Sequence, residues 1–457
     1  MKHLKQGRRF YGSAVALMIP MILQNFIMNA MSLADTFMVG ALGELPLAAV
    51  SLANTPLFIV MLIGFGLQSG CGVLTAQYYG KGDKNAINRV LGMGLYTAVI
   101  ITFAVAAASV IIPEGIMRIL TNNEDLIGPG AAYLRIAGPS HIFTSIGGIY
   151  IATQRSMGNP MLGAVVLTGS SLLNIFLNWV LIFGHLGAPA MGVEGAALAT
   201  LISRVCELCA VAVYALLFDK RLPLKPGLIM RPGREMLTDG VKYVLPVVLN
   251  EALWSAATSL YSVVMGHMED SAAILAAFTI AGNLERVLSV GLFAAGGATA
   301  VIIGRDIGAG ETDKVYGRGI ALCVLSAAVG VVSSIIVLIV RFTALEPFIF
   351  PILGLSEGAR GYGVFIMTAV AAVLPLRALN ISLITGVFRS GGDVRFALFC
   401  DVVPMFLFCV PAAAITGLVL KWGLHAVYIC ICLEEVVKIF INIPRLVSRK
   451  WINDVTR

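Results

Sequence analysis

Twelve carboxylate, lysine and arginine side chains lie inside long apolar stretches of this sequence, away from their extreme ends: Asp35, Arg135, Arg204, Glu207, Glu251, Glu285, Arg286, Arg377, Asp401, Glu434, Glu435 and Lys438. At the centre of a lipid bilayer each would cost at least about 2.5–3.5 kcal/mol on insertion scales. Side chains that tolerate such a cost line a cavity, carry an ion or pair with one another, so these twelve are the functional shortlist. Arg204 and Glu207 are three apart and suit an ion pair on one helix face. Glu434, Glu435 and Lys438 fall near the end of their stretch and suit pairing or snorkelling. Glu285 and Arg286 are adjacent, so at least one needs a partner on another helix, and Arg286 is a candidate for a cavity wall. Asp35 has no basic residue within a helical turn. It reads either as a protonated carboxyl bonded to a neighbouring helix or as an ion-coupling group. Glu251, five residues after Pro246, and Asp401 also lack a local counter-charge and are candidate acids.

Uncharged polar residues extend the list. Asn174 and Asn178 are four apart and share one helix face. Two carboxamide oxygens on one face, with a hydroxyl and a carboxylate nearby, suit a hard cation such as Na⁺. The same spacing serves helix–helix hydrogen bonding, the commoner use of asparagine in membranes. Gln24, Asn25 and Asn54 are candidate cavity-lining groups.

The elements that must position these residues follow from composition. Of 457 residues, 58% are hydrophobic and 12% charged, and the mean hydropathy is +0.90. Soluble domains carry about 25% charged residues, so this chain has too little polar surface for a soluble globule of its size. A bilayer crossing needs about 20 mainly apolar residues. Twelve such runs stand at 13–40, 47–79, 90–112, 130–153, 161–184, 192–218, 241–266, 272–303, 316–340, 361–387, 396–418 and 423–444. The first run has no small-residue cleavage site behind it and is read as a retained helix. All eight cysteines fall inside apolar runs and are expected to be buried free thiols, including the Cys206/Cys209 pair.

Most of the cations fall in one alternate set of gaps. These include Lys2, Lys5, Arg8 and Arg9 at the start, the interval 219–240 in the middle, and Arg445, Arg449, Lys450 and Arg457 at the end. The other set holds Arg118, Arg341, Arg360 and Lys421. By the positive-inside rule both termini and the central interval face the cytoplasm. That placement also answers the net charge of +7, which therefore gives no reason to expect a nucleic-acid partner. The halves repeat. Pro20 and Met38-Val39-Gly40 match Pro246 and Val264-Met265-Gly266 at an offset of 226. Leu47-Ala48-Ala49 matches Leu275-Ala276-Ala277, and Gly80-Lys81-Gly82-Asp83 matches Gly308-Ala309-Gly310-Glu311. Arg155-Ser156-Met157-Gly158-Asn159 matches Arg389-Ser390-Gly391-Gly392-Asp393 at an offset of 234. The expected architecture is all-α and polytopic, with twelve transmembrane helices in two six-helix bundles related by a pseudo-two-fold along the membrane normal. Residues 1–218 form an N-lobe, 219–240 a cytoplasmic connector and 241–457 a C-lobe. Such repeat architectures bind substrate between their repeats.

Several stretches resemble the multidrug and toxic compound extrusion (MATE) family: PMILQN at 20–25, ADTFMVGALG at 34–43, LAAVSLAN at 47–54, TQRSMGNP at 153–160, LNIFLNWVLIFG at 173–184, MGVEGAALAT at 191–200 and GVFRSGGDVRF at 386–396. The resemblance runs over nearly the whole chain and is closest to the bacterial NorM-like branch. It implies a monomeric antiporter in the bacterial inner membrane that alternates between outward- and inward-facing states. It implies export of lipophilic, often cationic drugs or toxic metabolites in exchange for Na⁺ or H⁺, with no other cofactor. The family's N-lobe cation site falls on Asp35, Asn174, Asn178 and Thr200, so these would hold Na⁺ if one binds. Asn178 departs from the family's common aspartate, which weakens the case for Na⁺ and leaves a proton on Asp35 workable. The NorM-like C-lobe acid falls on Glu251.

Other function classes fit less well. A lipid-linked oligosaccharide flippase, performed by related folds, needs a strongly basic cavity for pyrophosphate, whereas acids and bases are comparable here. No HExxH, nucleophile elbow or P-loop marks an intramembrane enzyme or ATPase. The two-half repeat favours a rocking transporter over a channel.

Overall fold

The computed structural model describes residues 6–350 and 356–456, so Lys2, Lys5 and Arg457 lie outside the described residues. Those residues form helices and turns with no strand. In chain order the helices are α1 (Arg8–Gly40), α2 (Glu44–Lys81), α3 (Lys84–Ile111), α4 (Pro113–Leu120), α5 (Glu124–Ala137), α6 (Ser140–Ser156), α7 (Met161–Phe183) and α8 (Gly192–Phe218). Then come α9 (Pro226–Met230), α10 (Arg234–Asp239), α11 (Leu245–Gly266), α12 (Ser271–Leu288), α13 (Val290–Gly308), α14 (Thr312–Ile349), α15 (Glu357–Arg389), α16 (Val394–Val419) and α17 (Gly423–Ser448). π-helical turns close α8, α14 and α15, and two more occur within α16, where Pro404 and Pro411 remove backbone donors.

Among the described residues ten helices are long and apolar enough to cross a membrane by length and composition. They cover nine of the twelve expected spans, because 272–303 is interrupted at Ser289 into α12 and α13. The other three expected spans are helical but less apolar or interrupted. The run 130–153 breaks at Gly138-Pro139 between α5 and α6. α11 carries Asn250, Glu251, Ser255, Thr258, Ser259 and Ser262 in 22 residues. α17 carries Glu434, Glu435 and Lys438. Large apolar side chains stand outward on many helices, among them Phe37, Ile100, Ile111, Leu216, Phe399 and Phe440. Exposed apolar surface this extensive is what a lipid solvent requires.

The chain divides into two compact units, residues 23–248 and residues 1–22 with 249–457. Both dividing points fall inside helices, α1 and α11, and they are 226 residues apart, the offset that relates Pro20 to Pro246. These boundaries differ from those expected at 218 and 241. Residues 1–22 group with the C-terminal residues because Met18 and Met21 pack against Ala294, Ala295 and Ala298. The interval 219–240 is part of the N-terminal unit and not a free connector. Asn88 donates to the Pro223 carbonyl at 3.2 Å and accepts from Lys225 N at 3.0 Å. Tyr150 OH and Gln154 Nε2 both donate to Asp219, and Leu222 is fully buried.

In the N-terminal unit α2 packs on α3, α5 and α6, and α8 lies against α6 and α7. In the C-terminal unit α13 lies against α14 and the closing turns of α15, while α15 also contacts α12, α14 and α17. Lipid gives helices no hydrophobic reason to associate, so small residues that admit close van der Waals contact decide the packing. Gly386 shows this: a Cβ there would sit 2.7 Å from Thr299 and 3.1 Å from the Gly296 carbonyl. The repeat survives as backbone conformation. Gly158 and Gly392 both end a helix in the left-handed region, at φ 80° and 78°. Each is followed by the same bond, Asn159 N to Gln154 O and Asp393 N to Phe388 O, both 2.9 Å. All eight cysteines are free, but Cys206 and Cys209 stand on the outer face of α8 instead of being buried.

Candidate ion-coupling sites

In the N-terminal unit, α1 supplies Asp35, α7 supplies Asn174 and Asn178, and α8 supplies Thr200. The four come together through one line of hydrogen bonds. Asn178 Nδ2 donates to Asp35 Oδ1 at 2.7 Å and to Asn174 Oδ1 at 3.3 Å. Asn174 Nδ2 donates to Thr200 Oγ1 at 3.4 Å, and that hydroxyl donates to the Ala196 carbonyl at 3.0 Å. Asn174 and Asn178 are buried, and Asp35 is half-buried. Asn178 Oδ1 is buried with no partner. Arg204, one turn along α8 from Thr200, is bound to Glu207 at 2.6 Å, as their spacing predicts. Among the described residues Asp35 is in no ion pair, so a proton or an added cation is what can neutralise it.

The four candidate cavity-lining groups take no part in this line of hydrogen bonds. Gln24 Oε1 lies 3.0 Å from where a Cβ on Gly163 would stand, at the opposite end of α7 from Asn178. Asn25 is half-buried on α1. Asn54 is exposed and accepts from Tyr133 OH at 3.3 Å. Arg286 is exposed on α12.

The C-terminal unit is built differently. Glu251 on α11 accepts from Arg389 Nη1 at 2.8 Å, across 138 residues of sequence. Asp401 on α16 accepts from Lys438 Nζ at 2.5 Å and from Asn250 Nδ2 at 2.7 Å. Lys438 also donates to Glu434 at 2.6 Å, whose second oxygen accepts from Tyr261 OH at 3.3 Å. Arg377 on α15 bridges Glu285 and Glu435, and Glu435 accepts further from Asn380 at 2.9 Å. The two candidate acids therefore have counter-charges, delivered by distant helices. Glu434, Glu435 and Lys438 do pair, but they are buried and do not snorkel to a membrane surface. Arg389 is buried at the close of α15. Asn250, Tyr261 and Arg389 carry no spacing signal, because each finds its partner on another helix. No group of three or more metal-ligating side chains occurs among the described residues.

Membrane-length helices in two repeated halves, with buried polar groups held inside each half, define a multi-pass helical membrane protein built to move something across a bilayer. The MatE family matches residues 20–180 and 246–415, one tract in each half, and the chain belongs to that family. Its members are transporters and not enzymes. The chain is 24% identical over 447 residues to an uncharacterized transporter, YisQ, of Bacillus subtilis (strain 168), covering 96% of this chain and 95% of that one. It is 23% identical over 443 residues to a probable multidrug resistance protein, NorM, of Thermotoga maritima, covering 96% of this chain and 92% of that one. A solved multidrug resistance MATE transporter of the MOP superfamily, in an outward-facing conformation, superposes with a TM-score of 0.86 at 21% identity over 96% of both chains. Proteins of this fold have twelve transmembrane helices in two bundles, which fits the twelve expected runs.

Proposed function

We propose that this protein exports lipophilic, often cationic small molecules across the bacterial inner membrane in exchange for a proton held at Asp35. The multidrug resistance names of its relatives support the substrate class. The observation that carries the coupling is the state of Asp35, a half-buried carboxyl with an amide donor and no ion-pair partner. A proton and a cationic substrate would compete for that one charge. Each then biases an alternating-access equilibrium by its differential affinity for the two states.

The donor set favours H⁺ over Na⁺. Asn178 presents its NH₂ group to Asp35, and that group would repel a metal ion approaching along the same line. A hard cation needs several oxygens, and here a single carboxylate supplies the only negative charge beside two amides and one hydroxyl. The lysine and arginine distribution supports both termini on the cytoplasmic side. Reconstituted vesicles with an imposed pH or Na⁺ gradient test the reading. Drug movement driven by ΔpH in the wild type and lost in Asp35→Asn is the expected result. Unchanged export and ion dependence in that variant would sink it.

A further inference from the structure

In the C-terminal unit one network of buried and half-buried side chains holds more acids than cations. Glu251, Glu285, Asp401, Glu434 and Glu435 face Arg377, Arg389 and Lys438. Arg389 and Glu251 form one balanced pair, while Arg377 and Lys438 are each shared between two acids. The acids around Lys438 keep little exposure, 12% of the side chain for Asp401 and 9% for Glu434. An uncompensated charge in so dry a place is ordinarily removed by taking up a proton. Arginine cannot adjust the balance, since it does not deprotonate in proteins.

We infer that the Asp401–Lys438–Glu434 cluster is a second proton-binding site, in the C-terminal unit, with Glu434 carrying the proton. Asp401 is the better-served anion, holding a donor on each oxygen at 2.5 and 2.7 Å. Glu434 has one strong donor, Lys438, and a long contact of 3.3 Å from Tyr261 OH to its other oxygen. A proton on that oxygen turns the long contact around, so that Glu434 donates to the phenol. A second buried acceptor is unpartnered at the cluster: Asn250 Oδ1, on the amide whose nitrogen holds Asp401. It can accept a hydrogen bond from a water that carries the proton as it enters or leaves.

A metal ion does not suit the same place, because the Lys438 ammonium already lies between the two carboxylates. The charged and titratable groups that face Glu434 are Lys438, Glu435 and Cys432 on its own helix, Tyr261 from α11, Asp401 and Cys409 from α16, and Arg377 from α15. Of the two cations among them only Lys438 bonds to Glu434, and Tyr261 makes the long contact to its other oxygen. The site is independent of Asp35, and the two can fail separately.

The test is infrared difference spectroscopy of the full chain in lipid nanodiscs across a pH step, read at the protonated-carboxyl stretch. In an Asp35→Asn background the buried-carboxyl band is expected to remain, and Glu434→Gln to remove the part of it that belongs to the Lys438 cluster. Thermal unfolding gives the companion readout. Glu434→Gln mimics the protonated acid and should leave Tm unchanged, whereas Lys438→Met should lower it. The inference is overturned if the band is undiminished in Glu434→Gln. It is also overturned if Glu434→Gln melts as early as Lys438→Met, or if Na⁺ at constant pH removes the band. Loss of the Asp35 band alone would count against the proposed coupling and leave this site standing.

Discussion

Asp35 and Asp401 each accept a 2.7 Å hydrogen bond from an asparagine amide whose own oxygen is buried without a partner. Their surroundings then diverge. Around Asp35 the remaining groups are neutral, and the cation on the adjoining helix, Arg204, is taken by Glu207. Around Asp401 a lysine supplies the counter-charge from within the unit. The first acid is left free to respond to whatever cation arrives. The second holds a tethered cation permanently, and only the smallest mobile charge, a proton, can adjust it. The repeat thus has matching turns, while a few buried side chains leave one site open to ligand charge and give the other a tethered cation.

Replacing Lys438 by Met breaks the comparison most severely. It leaves Asp401 and Glu434 buried with no cation, which costs about 3–5 kcal/mol for a broken buried pair. A large fall in the melting temperature of the purified protein is expected, and Asp401→Asn in the same chain should recover part of it. Asp35→Asn should do the reverse, keeping the melting temperature while cutting proton-driven export at least about tenfold, or 1.4 kcal/mol. A matching loss of stability would mean that Asp35 is a structural group.

Asn178→Asp would sharpen the contrast by adding a second carboxylate beside Asp35. Sodium should then stabilise the protein, by about 1.4 kcal/mol at roughly ten times its dissociation constant, while the parent chain shows no such response in the same melting assay. The smallest effect probes the scaffold. Alanine at Gly158 meets open space and bears only the left-handed backbone strain, about 1 kcal/mol. At Gly392 the added methyl would also lie 2.5 Å from Val455, so Gly392→Ala should melt earlier than Gly158→Ala.

Much of the fold was legible because lipid imposes it. Apolar runs of bilayer length must be helical, since backbone polar groups have no water to bond. The motifs at Gly158 and Gly392 reported a shared turn, because a left-handed residue selects glycine. The N-terminal site was also within reach: Asn174 and Asn178 sit one turn apart, Asp35 stands without a local counter-charge, and the family resemblance added Thr200 and the grouping of the four. The C-terminal network was not. Lys438 and Glu434 look like an ordinary i,i+4 pair, and nothing along the chain tells that Asp401, 37 residues earlier, closes on the same ammonium. The two helices there that fell short on composition, α11 and α17, did so because they carry this network.

The sequence by itself determined the membrane class, the number of long helical runs, the repeat and the isolation of Asp35, all of which depend on local composition and spacing. Only the tertiary structure decided where the units divide, that 219–240 is packed and not a free linker, and which buried charges meet. Those outcomes depend on which helices lie side by side, and a charge's role in a low-dielectric interior is set by the partner delivered across that gap.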